Sequence, residues 1–242
     1  MKSAIATAAI MLLIAGPALA KDAVPIPRPN PRRGGVEAAV TAPVPTGGWP
    51  AAAVAAERQR CGELLKGLDL SYKHLPPLGN ETGCGAPAPI EISAVAGTAL
   101  IPPATTSCAM GHDLSRWISG SVQPAAERIL NTRVTVIHTA SSYVCRGRNG
   151  AKGGKLSEHG KANALDMSGF TFAKGKSVTV GDGWGGILHG IGLSPTGSFL
   201  SAIRADACGH FATVLGPGSD AHHGNHFHVD AIRRRNGYRI CQ

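Results

Sequence analysis

The amino-acid sequence predicts an α+β domain in which helices flank a mostly antiparallel sheet. Segments with apolar residues at helical spacing are mixed along the chain with short segments in which apolar and polar residues alternate. Long stretches rich in Ala, Glu, Lys and Leu at helical spacing are missing, which argues against a helical bundle. The hydrophobic share of 43% is enough for a core, and the 32 glycines follow no three-residue period, which argues against disordered and collagen-like chains.

The predicted elements follow from this patterning in chain order. The predicted helices are residues 51–68, 113–130 and 199–211, and the predicted strands are residues 90–95, 134–143, 162–172, 176–180 and 225–231. The first helix is Ala-rich and places apolar residues from Val54 to Leu68 on one face. The second helix is expected in two pieces, because Ser119 and Gly120 interrupt it and Pro124 suits the first turn of a new helix.

The first twenty residues have the pattern of a secretory signal peptide. Lys2 is followed by an apolar run over residues 4–15 and then by the Ala-x-Ala end that Ala18 and Ala20 form. The run is shorter than the about 20 apolar residues that a membrane-spanning helix needs. We therefore expect cleavage after Ala20 and an exported protein, periplasmic or secreted, with no stable membrane span.

A Pro-rich segment separates the predicted signal peptide from the folded part. Residues 21–50 contain the stretches VPIPRPNPRRGG and TAPVPTGGWP. Proline has no backbone N–H to donate and favours an extended, solvated chain, so the segment is predicted to be a disordered spacer. The predicted organisation is a signal peptide over residues 1–20, a spacer over residues 21–50 and one folded domain over residues 51–242.

The chain is basic, with 24 Lys and Arg residues against 15 Asp and Glu residues, for a net charge of +9. Such a charge suits nucleic acid, an anionic membrane surface or an acidic polymer. The predicted export makes nucleic acid a poor partner.

The six cysteines predict three disulfides, because an even count in an exported protein is typical of a disulfide framework. No Cys-x-x-Cys motif is present, which argues against a cysteine zinc site. Sequence alone permits 15 pairings. Proximity along the chain favours Cys61–Cys84, Cys108–Cys145 and Cys208–Cys241.

Four of the ten histidines lie within residues 222–228, at His222, His223, His226 and His228. If this segment enters a strand, the period of two places His226, His228 and Asp230 on one face, while Phe227 and Val229 enter the core. Three polar side chains on one strand face suggest a site. A solvated turn or an incidental metal-binding tract is the alternative.

A second polar motif lies earlier in the chain, where His159 and Asp166 stand seven residues apart with small residues between them. Small residues let the backbone run close to a bound ion. Imidazole nitrogen and carboxylate oxygen both suit zinc, whose catalytic sites take three protein ligands and keep a fourth position open. His159, Asp166 and one histidine of the last predicted strand would form such a set.

The motifs resemble those of the bacterial extensin-like C-terminal domain family. They are Ser142-Tyr143-Val144-Cys145-Arg146, Ser157-Glu158-His159, Asn163-Ala164-Leu165-Asp166 and Asn225-His226-Phe227-His228-Val229-Asp230, in that order. More broadly, the pattern is similar to that of the LAS superfamily of zinc peptidases, which includes D-alanyl-D-alanine carboxypeptidases and penicillin-insensitive murein endopeptidases. The resemblance covers about residues 61–242 and implies a fold like that of the hedgehog and D-Ala-D-Ala peptidase domains.

The resemblance also implies roles for individual residues. His159, Asp166 and His228 would hold one Zn²⁺ ion, and His226 would sit beside it to polarise the water or stabilise the oxyanion. Arg146 would bind a substrate carboxylate or the developing negative charge, and Arg148 has a weaker claim to that role.

Two departures from the superfamily pattern bear on catalysis. Carboxypeptidases of this type carry Glu as general base three residues before the last ligand, where this chain has Asn225, which cannot take a proton. Murein endopeptidases are more similar here, and the base would then be His226 or His223, because imidazole titrates near neutrality. Ala162 replaces a glycine, and a positive φ there would cost about 1 kcal/mol.

The sequence therefore predicts a zinc-dependent hydrolase of peptide bonds in peptidoglycan cross-links or stem peptides, and the basic chain fits an anionic wall polymer. A non-catalytic wall-binding module of the same fold is the alternative, and a periplasmic metal buffer is a third possibility. Among other polar candidates, Asp220 is either a partner for a histidine or a solvated carboxylate, and Trp184 either lines a groove or packs on the core. His138 is expected in the core or at an edge.

Overall fold

The computed structural model describes residues 48–79, 83–150, 154–185 and 193–242. The predicted signal peptide and nearly all of the predicted spacer lie outside the described residues. The described part of the spacer includes Trp49, whose indole N–H donates to the carbonyl oxygen of Leu78 at 2.7 Å. Among the described residues, no helix has the length and hydropathy to cross a membrane.

The described residues form helices and mostly short strands. The helices are α1 (Ala51–Leu65), α2 (Cys108–Trp117), α3 (Gln123–Leu130), α4 (Val180–Gly183) and α5 (Pro195–His210), with a π turn at Ile118–Val122 and 3₁₀ turns at Arg148–Gly150 and Glu158–Lys161. The strands are β1 (Leu70–His74), β2 (Leu78–Gly79), β3 (Gly85–Ala86), β4 (Ile90–Val95), β5 (Thr98–Thr106), β6 (Val134–Ser141), β7 (Ala164–Phe172), β8 (Ser177–Thr179), β9 (Thr213–Leu215), β10 (Phe227–Asp230) and β11 (Ile240–Cys241).

One large sheet organises the described residues. Its order is β1-β4-β5-β6-β7-β10-β9-β11, with β8 paired to β7, and β2 and β3 form a separate hairpin. The pairs are antiparallel except β5–β6 and β9–β11. The prediction of an α+β domain with a mostly antiparallel sheet is confirmed.

The core lies between the sheet and the helices α2, α3 and α5. The indole N–H of Trp117 on α2 donates to the carbonyl oxygen of Ile203 on α5 at 3.0 Å. Phe199 on α5 meets the rings of Phe170 and Phe172 on β7, with ring centroids 5.6 and 5.4 Å apart. All of these rings are buried. The aromatic cluster fixes the helix layer against β7, the strand that carries Asp166.

Most predicted elements are found with shifted ends. The second predicted helix begins earlier, at Cys108, where the hydroxyl of Ser107 accepts the N–H of Met110 at 3.2 Å. The predicted break is the π turn at Ile118–Val122, and Pro124 lies in the first turn of α3 as expected.

Strand β5 is the main element that sequence patterning missed, because Pro102 and Pro103 argue against a strand. The structure accommodates both prolines where the ladders are interrupted. Pairing of β5 with β6 covers residues 99–101, and pairing with β4 shifts register between Ile92 and Ala94. No backbone N–H is required at the prolines. The strand predicted over residues 225–231 is present as β10, but it is not the last strand, since β11 follows it along the chain.

Three disulfides are present, but two predicted pairings are wrong. Cys208–Cys241 is confirmed, with Cα atoms 5.9 Å apart. The other bonds are Cys61–Cys108 and Cys84–Cys145, with Cα atoms 5.3 and 5.5 Å apart, instead of Cys61–Cys84 and Cys108–Cys145. Proximity along the chain predicted the wrong partners because α1 packs against α2. This packing brings Cys61 next to Cys108. Three disulfides fit an extracellular or periplasmic protein.

Gln123 is a buried polar side chain that ties α3 to the sheet. Its amide donates to the carbonyl oxygen of Val134 at 2.8 Å and to the hydroxyl of Thr98 at 2.6 Å, and its carbonyl oxygen accepts the N–H of Val134 at 3.1 Å. These bonds hold the start of β6 beside β5.

We expect Gln123→Leu to lower the free energy of unfolding by about 1–3 kcal/mol, because a buried backbone N–H loses its partner. Urea denaturation followed by circular dichroism measures this change. Gln59→Leu at an exposed position of α1 is the matched control and is expected to change stability little. Equal effects of the two substitutions would contradict this role of Gln123.

Candidate metal centre

Asp166 and His228 meet because their strands are neighbours in the sheet. In the antiparallel pairing of β10 with β7, His228 lies directly opposite Asp166. Directly opposed residues place their side chains on the same face of the sheet, a few ångströms apart. The register therefore joins two residues that are 62 positions apart in the chain.

His159 reaches the same point from the 3₁₀ turn Glu158–Lys161, which precedes β7. The hydroxyl of Ser157 caps this turn by accepting the N–H of His159 at 3.4 Å. Ala162 closes it in the left-handed conformation at φ 53°, and its N–H donates to the carbonyl oxygen of His159 at 3.0 Å. Ala162 therefore has the positive φ that was considered from the sequence.

The three side chains converge on one buried point. Asp166 Oδ1 lies 2.8 Å from His228 Nδ1 and 3.2 Å from His159 Nε2, and the two nitrogens are 3.2 Å apart. The atoms that the three residues could offer to a metal ion all lie within 4.8 Å of one another. All three residues are buried. Two imidazole nitrogens and one carboxylate oxygen in this arrangement are a donor set that zinc prefers.

Each imidazole is oriented by a second contact on its far side. His159 Nδ1 lies 2.6 Å from the carbonyl oxygen of Ser142, which can only accept, so Nδ1 carries a proton and Nε2 is turned towards the cluster. His228 Nε2 lies 3.5 Å from a carboxylate oxygen of buried Asp230, which leaves Nδ1 towards Asp166. Carbonyl and carboxylate partners of this kind are typical of metal-binding histidines.

The electrostatics of the cluster favour a carboxylate facing imidazolium. Burial opposes the charge of Asp166, but hydrogen bonds from His159 and His228 outweigh it and hold the pKa of Asp166 well below its ordinary value. Burial also opposes the charge of His228, but the hydrogen bonds to Asp166 and Asp230 raise the pKa of His228 to about 9. In the metal-free protein, a proton on His228 balances the buried carboxylate.

The side chains of Arg146 and His226 also lie close to Asp166. Arg146 Nη2 lies 3.9 Å from Asp166 Oδ2, and about a third of its side chain is exposed. His226 Nε2 lies 3.8 Å from Asp166 Oδ1. Burial lowers the pKa of His226 despite the attraction of Asp166. Arg148, the weaker candidate, is exposed on the turn Arg148–Gly150.

His223 lies behind His226 with a carboxylate partner. His223 Nδ1 is 2.7 Å from Asp220 Oδ1, and the same oxygen accepts the backbone N–H groups of His222 and His223 at 2.7 and 3.2 Å. The ring of His223 contacts the rings of His226 and His228, with centroids 5.2 and 5.6 Å apart. Asp220 is thus the partner of a histidine, while His222 is exposed.

The alternation predicted for the last strand holds from Phe227 onward. Phe227 and Val229 enter the core, and the side chains of His228 and Asp230 contact each other. His226 precedes β10 in a bend, so its position beside Asp166 depends on the loop and not on the strand period.

Sequence reasoning missed Glu158, a buried carboxylate that secures the 3₁₀ turn. Its two oxygens accept Lys161 Nζ and Asn163 Nδ2, both at 2.8 Å. A glutamate directly before a candidate ligand, with lysine three residues later, was the available signal. These two hydrogen bonds tie Glu158 to the end of the turn that carries His159 and to Asn163, the residue before β7.

Two further candidates, Trp184 and His138, are half-buried and make their contacts outside the cluster. Trp184 packs edge-on against Phe227, with centroids 5.8 Å apart, and the guanidinium of Arg204 lies 4.7 Å from the centre of its ring. His138 Nε2 lies 2.8 Å from the hydroxyl of Thr171 on β7.

The raised pKa of His228 gives a pH prediction for the metal-free protein. A folded-state pKa of about 9, above the ordinary 6.5, adds stability that is complete below pH 6.5 and is lost as the pH rises through about 9. We expect the free energy of unfolding in urea with a chelator to fall by on the order of 3 kcal/mol from about pH 6 to about pH 9.5. His228→Gln should show a flatter profile, and identical profiles would contradict the assignment.

Comparison with known proteins places the chain in one family. Residues 59–242 match the family described as extensin-like protein C-terminus. No curated protein matches the chain, and no solved structure matches it. The match contains every residue of the cluster. The chain belongs to the extensin-like protein C-terminus family.

Proposed function

We propose that this protein is a zinc-dependent hydrolase of peptide bonds in bacterial peptidoglycan, either in its cross-links or in its stem peptides. The observation that carries the proposal is the buried cluster of His159, Asp166 and His228, in which each imidazole is oriented by its own oxygen partner. We also propose export by the predicted signal peptide, with cleavage after Ala20, to the periplasm or beyond.

The residues present fit one zinc ion. His159 Nε2, His228 Nδ1 and one oxygen of Asp166 would be the ligands, and displacement of the proton on His228 would free the third donor. Three protein ligands leave one position open, which is typical of catalytic zinc sites and not of structural ones. When bound, zinc would supply Lewis acidity and lower the pKa of a coordinated water towards about 7.

His226 is the proposed general base. Its Nε2 lies 3.8 Å from Asp166 Oδ1 and so faces the cluster, while its Nδ1 contacts the side-chain oxygen of Asn225 at 2.9 Å. The low pKa that burial gives His226 keeps its ring neutral and able to accept a proton. His223, whose Nδ1 lies 2.7 Å from Asp220 Oδ1, has its ring beside that of His226 and is the second candidate for the base.

Arg146 is the proposed substrate-binding cation. Its guanidinium lies beside Asp166, is partly exposed and can reach a substrate carboxylate or the oxyanion that forms during attack. Peptidoglycan peptides carry free carboxylates, and the net charge of +9 favours an anionic wall polymer.

Asn225 favours a second candidate, a non-catalytic wall-binding module. This residue stands where related carboxypeptidases have a glutamate base, and its amide cannot take a proton. The nearby histidines support the hydrolase instead. A metal buffer has less support, since the described residues contain one three-ligand group and not several.

Zinc binding and proton transfer are separable by substitution. We expect His228→Ala to lose zinc, measured by metal analysis after dialysis, because it removes a ligand and the partner of Asp166. His226→Ala should keep zinc and reduce turnover of purified sacculi by about 10²–10⁴-fold, the usual range for a positioned base. His112→Ala, a histidine paired with Asp113 outside the site, is the control.

The released fragments, identified by mass, show which peptide bond is cut. Full activity of His226→Ala with none in His223→Ala would exchange the roles of these two residues. Zinc binding without any release of fragments by the wild type would favour the wall-binding module, and failure of the wild type to bind zinc would overturn the proposal.

A further inference from the structure

The Cys84–Cys145 disulfide lies beside the metal cluster and is open to solvent. Cys145 is exposed and Cys84 is half-buried, whereas Cys61 and Cys108 are fully buried. Neither half of the bond belongs to the proposed ligand set or base.

The segment that carries Cys145 makes two hydrogen bonds to His159 and a third to Ser157, which caps the turn of His159. The carbonyl oxygen of Ser142 accepts His159 Nδ1–H at 2.6 Å, and the N–H of Val144 donates to the carbonyl oxygen of His159 at 3.4 Å. The carbonyl oxygen of Arg146 accepts the N–H of Ser157, the residue that caps the turn of His159, at 3.1 Å. Movement of this segment would therefore move both His159 and Arg146.

Cys84 abuts the turn of His159 from the other side. A methyl group added at Gly160 would lie 3.0 Å from Cys84 Sγ and 2.9 Å from Leu156 Cδ1, so the turn packs directly on the sulfur. Cys84 is itself held by the β2–β3 hairpin, where Leu78 pairs with Ala86. The disulfide thus joins the hairpin to residues 142–146, and Cys84 Sγ packs against the turn that carries His159.

We propose that the Cys84–Cys145 disulfide positions His159 and Arg146, and that its reduction by an extracytoplasmic dithiol weakens metal binding at the cluster. The proposal rests on the proposed zinc site. The disulfide acts through the backbone around His159 and touches no reacting atom.

The redox step is ordinary thiol–disulfide exchange. A thiolate of the reductant attacks Cys145 Sγ, the exposed sulfur, and Cys84 leaves as a thiolate that takes up a proton. The second thiol of the reductant then attacks the mixed disulfide and releases Cys145. Two electrons pass to the protein, which gains two thiols, and the dithiol becomes a disulfide.

Serine substitutions test the proposal without adding thiolate ligands for zinc. The test protein is the Cys84→Ser/Cys145→Ser double variant of the full exported chain. The control is Cys208→Ser/Cys241→Ser, which removes a similarly accessible bond between α5 and the edge strand β11. Competition with a zinc chelator should show about 10–100-fold weaker binding in the test variant, the range typical of lost ligand orientation. The control should bind zinc as the wild type does, and unchanged binding in the test variant would overturn the proposal.

Amide hydrogen exchange of the metal-free protein provides a readout that does not depend on zinc. Loss of Cys84–Cys145 should speed exchange at Val144, Gly160 and Ala162. Their N–H groups donate to carbonyl oxygens of Ser157 or His159. The control should instead speed exchange at Ile240 and Gln242. If the wild type binds no zinc, the proposed function fails, and exchange alone decides whether the disulfide positions the segment.

Gly160→Ala keeps the disulfide and tests the same contact if the double variant fails to fold. The new methyl group would press on Cys84 Sγ and Leu156 Cδ1, and zinc binding should weaken. Gly209→Ala on α5 is the matched control, because a methyl group there meets no atom within 4 Å. Equal zinc affinity of these two variants would overturn the proposal.

Discussion

The buried carboxylate of Asp166 is the constraint on which the candidate site depends. A carboxylate loses favourable hydration when it is buried, and the loss must be compensated by hydrogen bonds or opposite charge. Two imidazoles contact one of its oxygens, and a guanidinium lies 3.9 Å from the other. Without metal, the compensation includes a proton on His228. A divalent cation would replace that proton with a larger charge at the same point.

The compensation needs groups from distant parts of the chain, and three kinds of constraint bring them together. The antiparallel register of β7 and β10 sets His228 opposite Asp166. The capped 3₁₀ turn before β7 returns His159 to the same point, with Ala162 in a left-handed conformation. The third constraint is covalent, since the Cys84–Cys145 bond holds the segment that orients His159. A strained Ala162 is tolerated because the bonds around this turn determine its conformation.

The arrangement around the cluster bears on the proposed chemistry. Asn225 stands three residues before His228, and its side-chain oxygen contacts His226 Nδ1 at 2.9 Å. That contact directs the other nitrogen of His226 towards the cluster. Behind it, Asp220 and His223 form a second histidine–carboxylate pair. In the proposed hydrolase, the Asn225 amide would orient His226, and His226 and His223 are the candidates for the base.

The sequence by itself determined the fold class, the number of disulfides and the short motifs that carry the candidate residues. Local patterning sufficed for these features, because the alternation at Phe227–Asp230 and the spacing of His159 and Asp166 depend on nearby residues alone. Strand β5 escaped detection because its two prolines resemble a loop, and only the interrupted pairing with β4 and β6 shows that no N–H is needed there. The pairings of Cys61 and Cys84 followed helix packing and the hairpin, and not distance along the chain. Tertiary structure also decided that Ser142 orients His159, because this hydrogen bond joins residues 17 positions apart and depends on the path of the loop between them, which no local pattern encodes.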